Sequence, residues 1–163
     1  MSTAEQPLQP MSTDEEALVR ELGRVMIVLP RVVDADMMRE QHLPLSEYMT
    51  LTYLSEAPHR LMRMSELAAV SNLSLSGMTR IVTRLEKQGL VERVRCGEDG
   101  RGWNAVLTDA GLARLQQAWP AHLASVRRHV LDHVEGSDLT QLVRALRRIA
   151  TDTPGDAHPR STS

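Results

Sequence analysis

The chain has a single cysteine, Cys96, so no internal disulfide framework is open to it and a reducing cytoplasm is the expected compartment. No apolar run approaches the ~20 residues that a membrane span requires. Met1 to Ser12 lacks a basic stretch followed by an apolar one, so neither a secretory signal nor a membrane partner is expected. Catalytic signatures are missing too: there is no nucleophile elbow, no phosphate-binding glycine loop, no metalloprotease motif and no pair of carboxylates set for acid–base work. The reading is therefore of a non-enzyme, with no catalytic residue, cofactor or metal site assigned. No internal repeat is found.

What is present is an ordinary globular composition, 42% hydrophobic and 25% charged over 163 residues, which suits one domain carrying extra helices. The net charge of −2 is unevenly spread. Residues 60–101 hold eight basic side chains against five acidic ones, a local +3 within a chain that is acidic elsewhere. Lysine occurs once, at Lys87, and the other eighteen basic residues are arginine. An arginine fork grips phosphate or guanine with two parallel hydrogen bonds where lysine offers a point charge, although codon bias in the source genome accounts for such an excess equally well.

Residues 1–12 and 153–163 have little to bury and read as disordered tails. Thr13-Asp14-Glu15-Glu16 spells a capping box, so a helix is expected from Thr13. Leu18, Leu22, Val25, Leu29 and Val32 give it one apolar stripe to about Glu40, with a bend near residues 26–30 where Pro30 removes a backbone donor. Ser46 caps a second helix to about Glu56, stopped by Pro58, with Met49, Leu51 and Leu54 for the core. Ser65 caps a short helix, Glu66 to Val70; Ser71-Asn72-Leu73 turns; Ser74 caps a third helix ending at Gly89. Two short helices joined by such a turn form a helix-turn-helix, whose second helix is the reader.

After Gly89 the period becomes that of strands. Leu90, Val91 and Val94, then Trp103 to Leu107, flank the glycine-rich segment 96–102 and predict a hairpin with a flexible tip, a wing. Thr108-Asp109 caps a long helix, about Ala110 to Val134, with Leu112, Leu115, Trp119, Leu123, Val126 and Val130 on its apolar side and a kink expected at Pro120. Gly136-Ser137-Asp138 restarts a last helix that ends near Ala150. The fold class expected is mainly α with a small β wing: a helix over 13–43, a winged helix-turn-helix over 44–110 and C-terminal helices over 111–152.

Two stretches carry a family resemblance. Ser74-Leu-Ser-Gly-Met-Thr-Arg-Ile-Val-Thr-Arg-Leu-Glu-Lys-Gln-Gly-Leu-Val-Glu-Arg93 is similar to the recognition helix, and its exit into the wing, of the multiple-antibiotic-resistance regulators, the MarR family. Asp99-Gly-Arg101-Gly-Trp-Asn-Ala-Val-Leu107-Thr108-Asp-Ala-Gly111 resembles that family's pattern of Asp, any residue, Arg, then Leu-Thr and a Gly three beyond the Thr. The similarity spans about Asp14 to Ala150. It implies a sequence-specific transcription regulator, commonly a repressor. It also implies an obligate homodimer whose interdigitating terminal helices set one winged module on each side of a palindromic, inverted-repeat duplex DNA. Members commonly release DNA when a small phenolic or lipophilic anionic ligand settles between the dimer scaffold and the winged module.

On the reader helix Leu75, Met78, Ile81, Val82 and Leu85 read as the inward stripe, leaving Ser74, Ser76, Gly77, Thr79, Arg80 and Arg84 as DNA-binding candidates. Base reading is assigned to Ser76, Thr79 and Arg80, since short hydroxyls approach closely and an arginine grips guanine O6 and N7. Gly77 permits close backbone approach, and Arg84, a turn further on, suits phosphate. By resemblance, Arg101 enters the minor groove from the wing tip and Asp99 orients it. Met26, Pro30, His42 and Met64 are candidate walls of a ligand pocket. The bland alternatives are a solvated helix face, a surface ion pair and simple core. Other readings are a winged-helix protein-interaction module, a redox role for Cys96, or metal sensing by His129 and His133, four apart, with His122 a turn and more earlier.

Overall fold

The computed structural model describes residues 9–95 and 102–151. Most of both expected tails, and the hairpin tip with Cys96, Asp99 and Arg101, lie outside the described residues. The first helix, α1, spans Thr13–Gln41, and its capping box sits one residue earlier than expected. Ser12 Oγ accepts the Glu15 N–H at 3.3 Å and the Glu15 carboxylate accepts the Ser12 N–H at 2.7 Å. Ser12 and Glu15 stand three apart just as Thr13 and Glu16 do, and the structure uses the earlier pair. Pro30 does not end α1, which continues for eleven residues beyond it.

Helix α2 (Leu45–Glu56) begins without the expected Ser46 cap. Its first N–H, that of Leu45, is instead met by Asp34 Oδ1 of α1 at 2.8 Å, a tertiary cap that no local pattern announces. A three-residue strand the sequence did not suggest, β1 (Leu61–Arg63), follows His59 and Arg60, both at φ +56°. It leads directly into α3 (Met64–Val70), which therefore starts two residues early and has no side-chain cap. The turn at Ser71–Ser74 leads to α4 (Leu75–Lys87), and here the expected cap is present: Ser74 Oγ accepts the Gly77 N–H at 3.1 Å. Strands β2 (Val91–Arg95) and β3 (Trp103–Leu107) pair antiparallel from Val91↔Leu107 to Arg95↔Trp103. With β1 on the other side of β3, they make a three-stranded sheet of order β1-β3-β2.

Thr108 joins the sheet to α5 (Asp109–His129): its hydroxyl accepts the Gly111 N–H at 3.0 Å and donates to the Gly89 carbonyl at 2.7 Å. Gly111 has to be glycine, because a Cβ there would lie 2.1 Å from the Leu90 carbonyl oxygen and 2.6 Å from a Leu107 methyl. Helix α5 ends five residues before the expected Val134 and continues through Pro120. Its buried side chains are Ala118, Ala121 and Ser125, while Trp119, expected on the apolar side, is 53% exposed. Small residues on that face let α5 lie close against α1, while Leu112 and Leu115, as expected, pack partly buried against the cores. Helix α6 (Leu139–Thr151) starts after Asp138, whose carboxylate accepts the Gln141 N–H at 3.1 Å.

Two cores result. Leu51, Leu54, Leu67, Met78, Leu85, Val91 and Leu107 belong to the first, which unites the helix-turn-helix with the sheet. Val33, Met37, Leu43, Tyr48, Ala118 and Ala121 form the second, between α1, α2 and α5. Helix α2 feeds both, through Leu51 and Leu54 on one side and Tyr48 on the other. The second core is tied by a polar hub at Asp36, which is 5% exposed. Its Oδ1 accepts from Arg39 at 2.7 Å, and its Oδ2 contacts Ser125 Oγ at 2.8 Å and Arg128 and His129 at 3.0 Å each. Burial opposes the charge, but the hydrogen bonds from Ser125, Arg39 and His129 outweigh it and hold the carboxyl at about 2, below its ordinary 3.8.

Among the described residues no helix is long and apolar enough to cross a membrane.

Candidate nucleic-acid interface

Helix α4 has strongly divided faces. Met78, Val82 and Leu85 are fully buried and Ile81 nearly so, which fixes the opposite side outward. Ser76 and Arg80, one turn apart, stand exposed on that side, and Arg80 makes no ion pair among the described residues. The hydroxyls around the helix start are already engaged. Ser74 and Ser76 share a hydrogen bond at 3.1 Å, and Thr79 Oγ1 donates to the Leu75 carbonyl at 2.8 Å. Thr79 therefore keeps only acceptor capacity and a methyl group to offer a ligand. At Gly77 a Cβ would come within 3.3 Å of Ser74 Oγ, so its absence gives the cap room.

Leu75 departs from the expected inward stripe, with 55% of its surface exposed. It stands in the first turn and lines a cleft of about 360 Å³ together with Arg63, Met64, Thr79, Arg93 and Trp103, between the start of α3, α4 and the strands. Trp103 lies at the tip-side end of the described strands, paired with Arg95, whose guanidinium is 5.3 Å from its ring centre. Arg84 is not a free cation: its Nε donates to Glu47 Oε1 of α2 at 2.6 Å, and half of its side chain, 51%, remains exposed. Glu47 had no sequence signal, because its partner lies 37 positions away and a lone glutamate in a helix reads as solvated.

The four candidate pocket residues are not brought together. Pro30 lines a cleft of about 430 Å³ with Arg31, Asp34, Met49, Tyr53 and Leu73, at the junction of α1, α2 and the helix-turn-helix. Met64 is 7% exposed in the first core and borders the other cleft, Met26 is 66% exposed on α1, and His42 is the exposed left-handed C-cap of that helix. The histidines considered for metal are also apart in role. His129 contacts Asp36, while His122 stacks on Tyr48 at 4.4 Å between ring centres, with burial lowering its pKa. Among the described residues no group of three or more His, Cys, Asp or Glu side chains is placed to hold a metal ion.

A short helix pair with a divided second helix, backed by a three-stranded sheet, defines a winged helix-turn-helix protein. The sequence pattern of the MarR family matches residues 43–102, from the entry of α2 to the start of β3. Two solved structures from Streptomyces coelicolor are similar over nearly their whole length. AbsC, a MarR family transcriptional regulator, is 36% identical, with 88% of this chain and 97% of that one covered and a TM-score of 0.77. Sco3205, a MarR family transcriptional regulator solved in complex with DNA, is 32% identical, with 90% and 91% covered and a TM-score of 0.79. A mutant of MarR from Escherichia coli, solved with operator DNA, is 20% identical over 86% of this chain and 99% of that one, and at a TM-score of 0.68 it shares the fold. No curated protein matches the chain in sequence. The chain belongs to the MarR family of transcriptional regulators.

Proposed function

We propose that the protein is a homodimeric, cytoplasmic repressor that binds an inverted-repeat operator in duplex DNA and is released by a small molecule. The observation that carries the DNA reading is the outward strip of α4, where Ser76 and Arg80 stand clear on a helix whose opposite face is the core. Arg80 supplies two parallel donors to a guanine, Ser76 a hydroxyl, Thr79 an acceptor and a methyl, and Arg84 a phosphate contact on the exposed side of its guanidinium. Ser74 and Gly77 bring the helix start close to the duplex, and Arg101, oriented by Asp99, reaches the minor groove. The relative solved with DNA at 32% identity supports this reading.

Dimerisation is supported by apolar surface that one copy leaves open. Residues 139–150 of α6 are all exposed, including Leu139, Leu146 and Ile149 on its apolar side, and so are Leu18, Val25 and Met26 of α1. Such a face is a partner surface rather than a solvent face. Effector release is supported by the cleft at Pro30, which has apolar walls from Leu45, Met49 and Leu73 and carries Arg31 and Asp34, of opposite charge, on its lining. A ligand there acts by preferring one separation of the two reader helices over the other.

The test is selection of duplexes from a randomised pool by the purified protein. An enriched inverted repeat, with half-sites about 10 bp apart and an affinity that falls steeply with added salt, is the expected result. A protein that stays monomeric at micromolar concentration, or enriches no duplex, overturns it.

A further inference from the structure

Helix α4 is gripped on two flanks by ion pairs that come from different parts of the fold. On one flank, Glu47 of α2, 4% exposed, accepts from Arg84 Nε at 2.6 Å. On the other, Glu86 Oε2 accepts both Nε and Nη2 of Arg93 on β2, at 3.0 and 2.6 Å. The bonds from Arg93 hold the Glu86 carboxyl below the usual carboxylate range, as expected for a formed pair. At 3.6 residues per turn, Arg84 and Glu86 lie about 160° apart around the helix and straddle the strip that carries Ser76 and Arg80.

Apolar packing under Met78, Val82 and Leu85 holds α4 down and resists gross rotation, but, being non-directional, it sets the roll about the helix axis less finely than a hydrogen bond does. A roll of about 20° moves a side-chain tip ~6 Å from the axis by ~2 Å, enough to break a bidentate bond to a base edge. Charged hydrogen bonds on opposite flanks resist that roll in both senses, because turning either way stretches one of them. We propose that Glu47 and Glu86 are positioning residues that set the roll of α4, so that Ser76 and Arg80 meet base edges in one register. The assignment rests on the DNA-reading function above and adds that discrimination between bases depends on two carboxylates that touch no DNA.

The test uses full-length protein and two duplexes: the one enriched from a randomised pool by the unaltered protein, and a scrambled duplex of equal length. Affinities are measured by fluorescence anisotropy for the unaltered protein, Glu47→Gln and Glu86→Gln, with thermal melting alongside. The ratio of the two affinities is expected to fall about tenfold in each variant, while binding to the scrambled duplex is not weakened. A ratio that stays constant, or two affinities that fall together, would mean that the carboxylates only support the fold, and overturns the proposal. If Glu47→Gln does not fold, Glu86→Gln, whose pair is only part-buried, decides the matter by the same ratio. Failure of the unaltered protein to enrich any duplex removes the DNA reading itself, and the positioning role with it; an enriched duplex with unchanged ratios removes the positioning role alone.

Discussion

At Gly111 the chain has no room for a single methyl group. The Leu90 carbonyl, already accepting the Thr108 N–H at 3.1 Å, sits where a Cβ would go. Gly111→Ala must therefore push α5 off the sheet, and a cost of about 3 kcal/mol is expected, read as a lowered melting temperature. Arg80 is the reverse case, a side chain outside the core whose removal leaves the fold alone. Arg80→Ala is expected to keep the melting temperature and to weaken binding to the selected duplex by roughly tenfold or more, since one bidentate guanine contact is worth about 1–3 kcal/mol. The outward position of Arg80 was legible from its place on a capped amphipathic helix, whereas Gly111 stood out only as part of the MarR-family pattern and its steric reason appears only in the fold. The sequence hid Leu75 and Glu47. Helical spacing assigns Leu75 to the core face, but whether a neighbour covers the first turn of α4 depends on where α3 ends. Glu47 gains its meaning only from Arg84, on another helix.

Among elements, the α1–α5 pair depends most on a charged group. Asp36 titrates at about 2 in the fold against an ordinary 3.8, so it contributes stability that is complete above the ordinary value and is lost as pH falls through the folded one. Melting measured across that acid window should show a steep loss of stability. Asp36→Asn should lower the melting temperature at neutral pH and flatten the acid limb, and an unchanged limb would mean that the hub does not tie the two helices. Element types and order were readable from periodicity and turn residues. Boundaries shifted where a distant group took over a local task, as Asp34 does for the start of α2 and the sheet does for the start of α3. β1 leaves no mark in the sequence, because three residues are too few for an alternation to register. On α5 the expected apolar side holds at Leu112 and Leu115 but not at Trp119, because closeness to α1 selects Ala118, Ala121 and Ser125 for the inward positions.

As a whole molecule, one copy leaves α6 without a buried side chain among residues 139–150, and a helix with one apolar side has no reason to persist in that state. Two copies covering each other's α1 and α6 would satisfy it. Leu146→Asp, which puts a charge on that face, is expected to give a monomer by sedimentation velocity and to weaken binding to the selected duplex by roughly 100-fold, through loss of the second half-site. A variant that remains dimeric places the interface elsewhere.

Helix α2 has one side in each core, with Leu51 and Leu54 fully enclosed in the first and Tyr48 in the second. It cannot tilt against either body without opening a void, so it travels as a stiff beam. A helix locked into both holds the helix-turn-helix and the α1–α5 scaffold at one angle, and the left-handed residues that flank it, His42 at +50° and His59 and Arg60 at +56°, turn the chain sharply at either end. Reader and scaffold are thereby fastened to each other through a single girder, and a change made in one core is felt in the other.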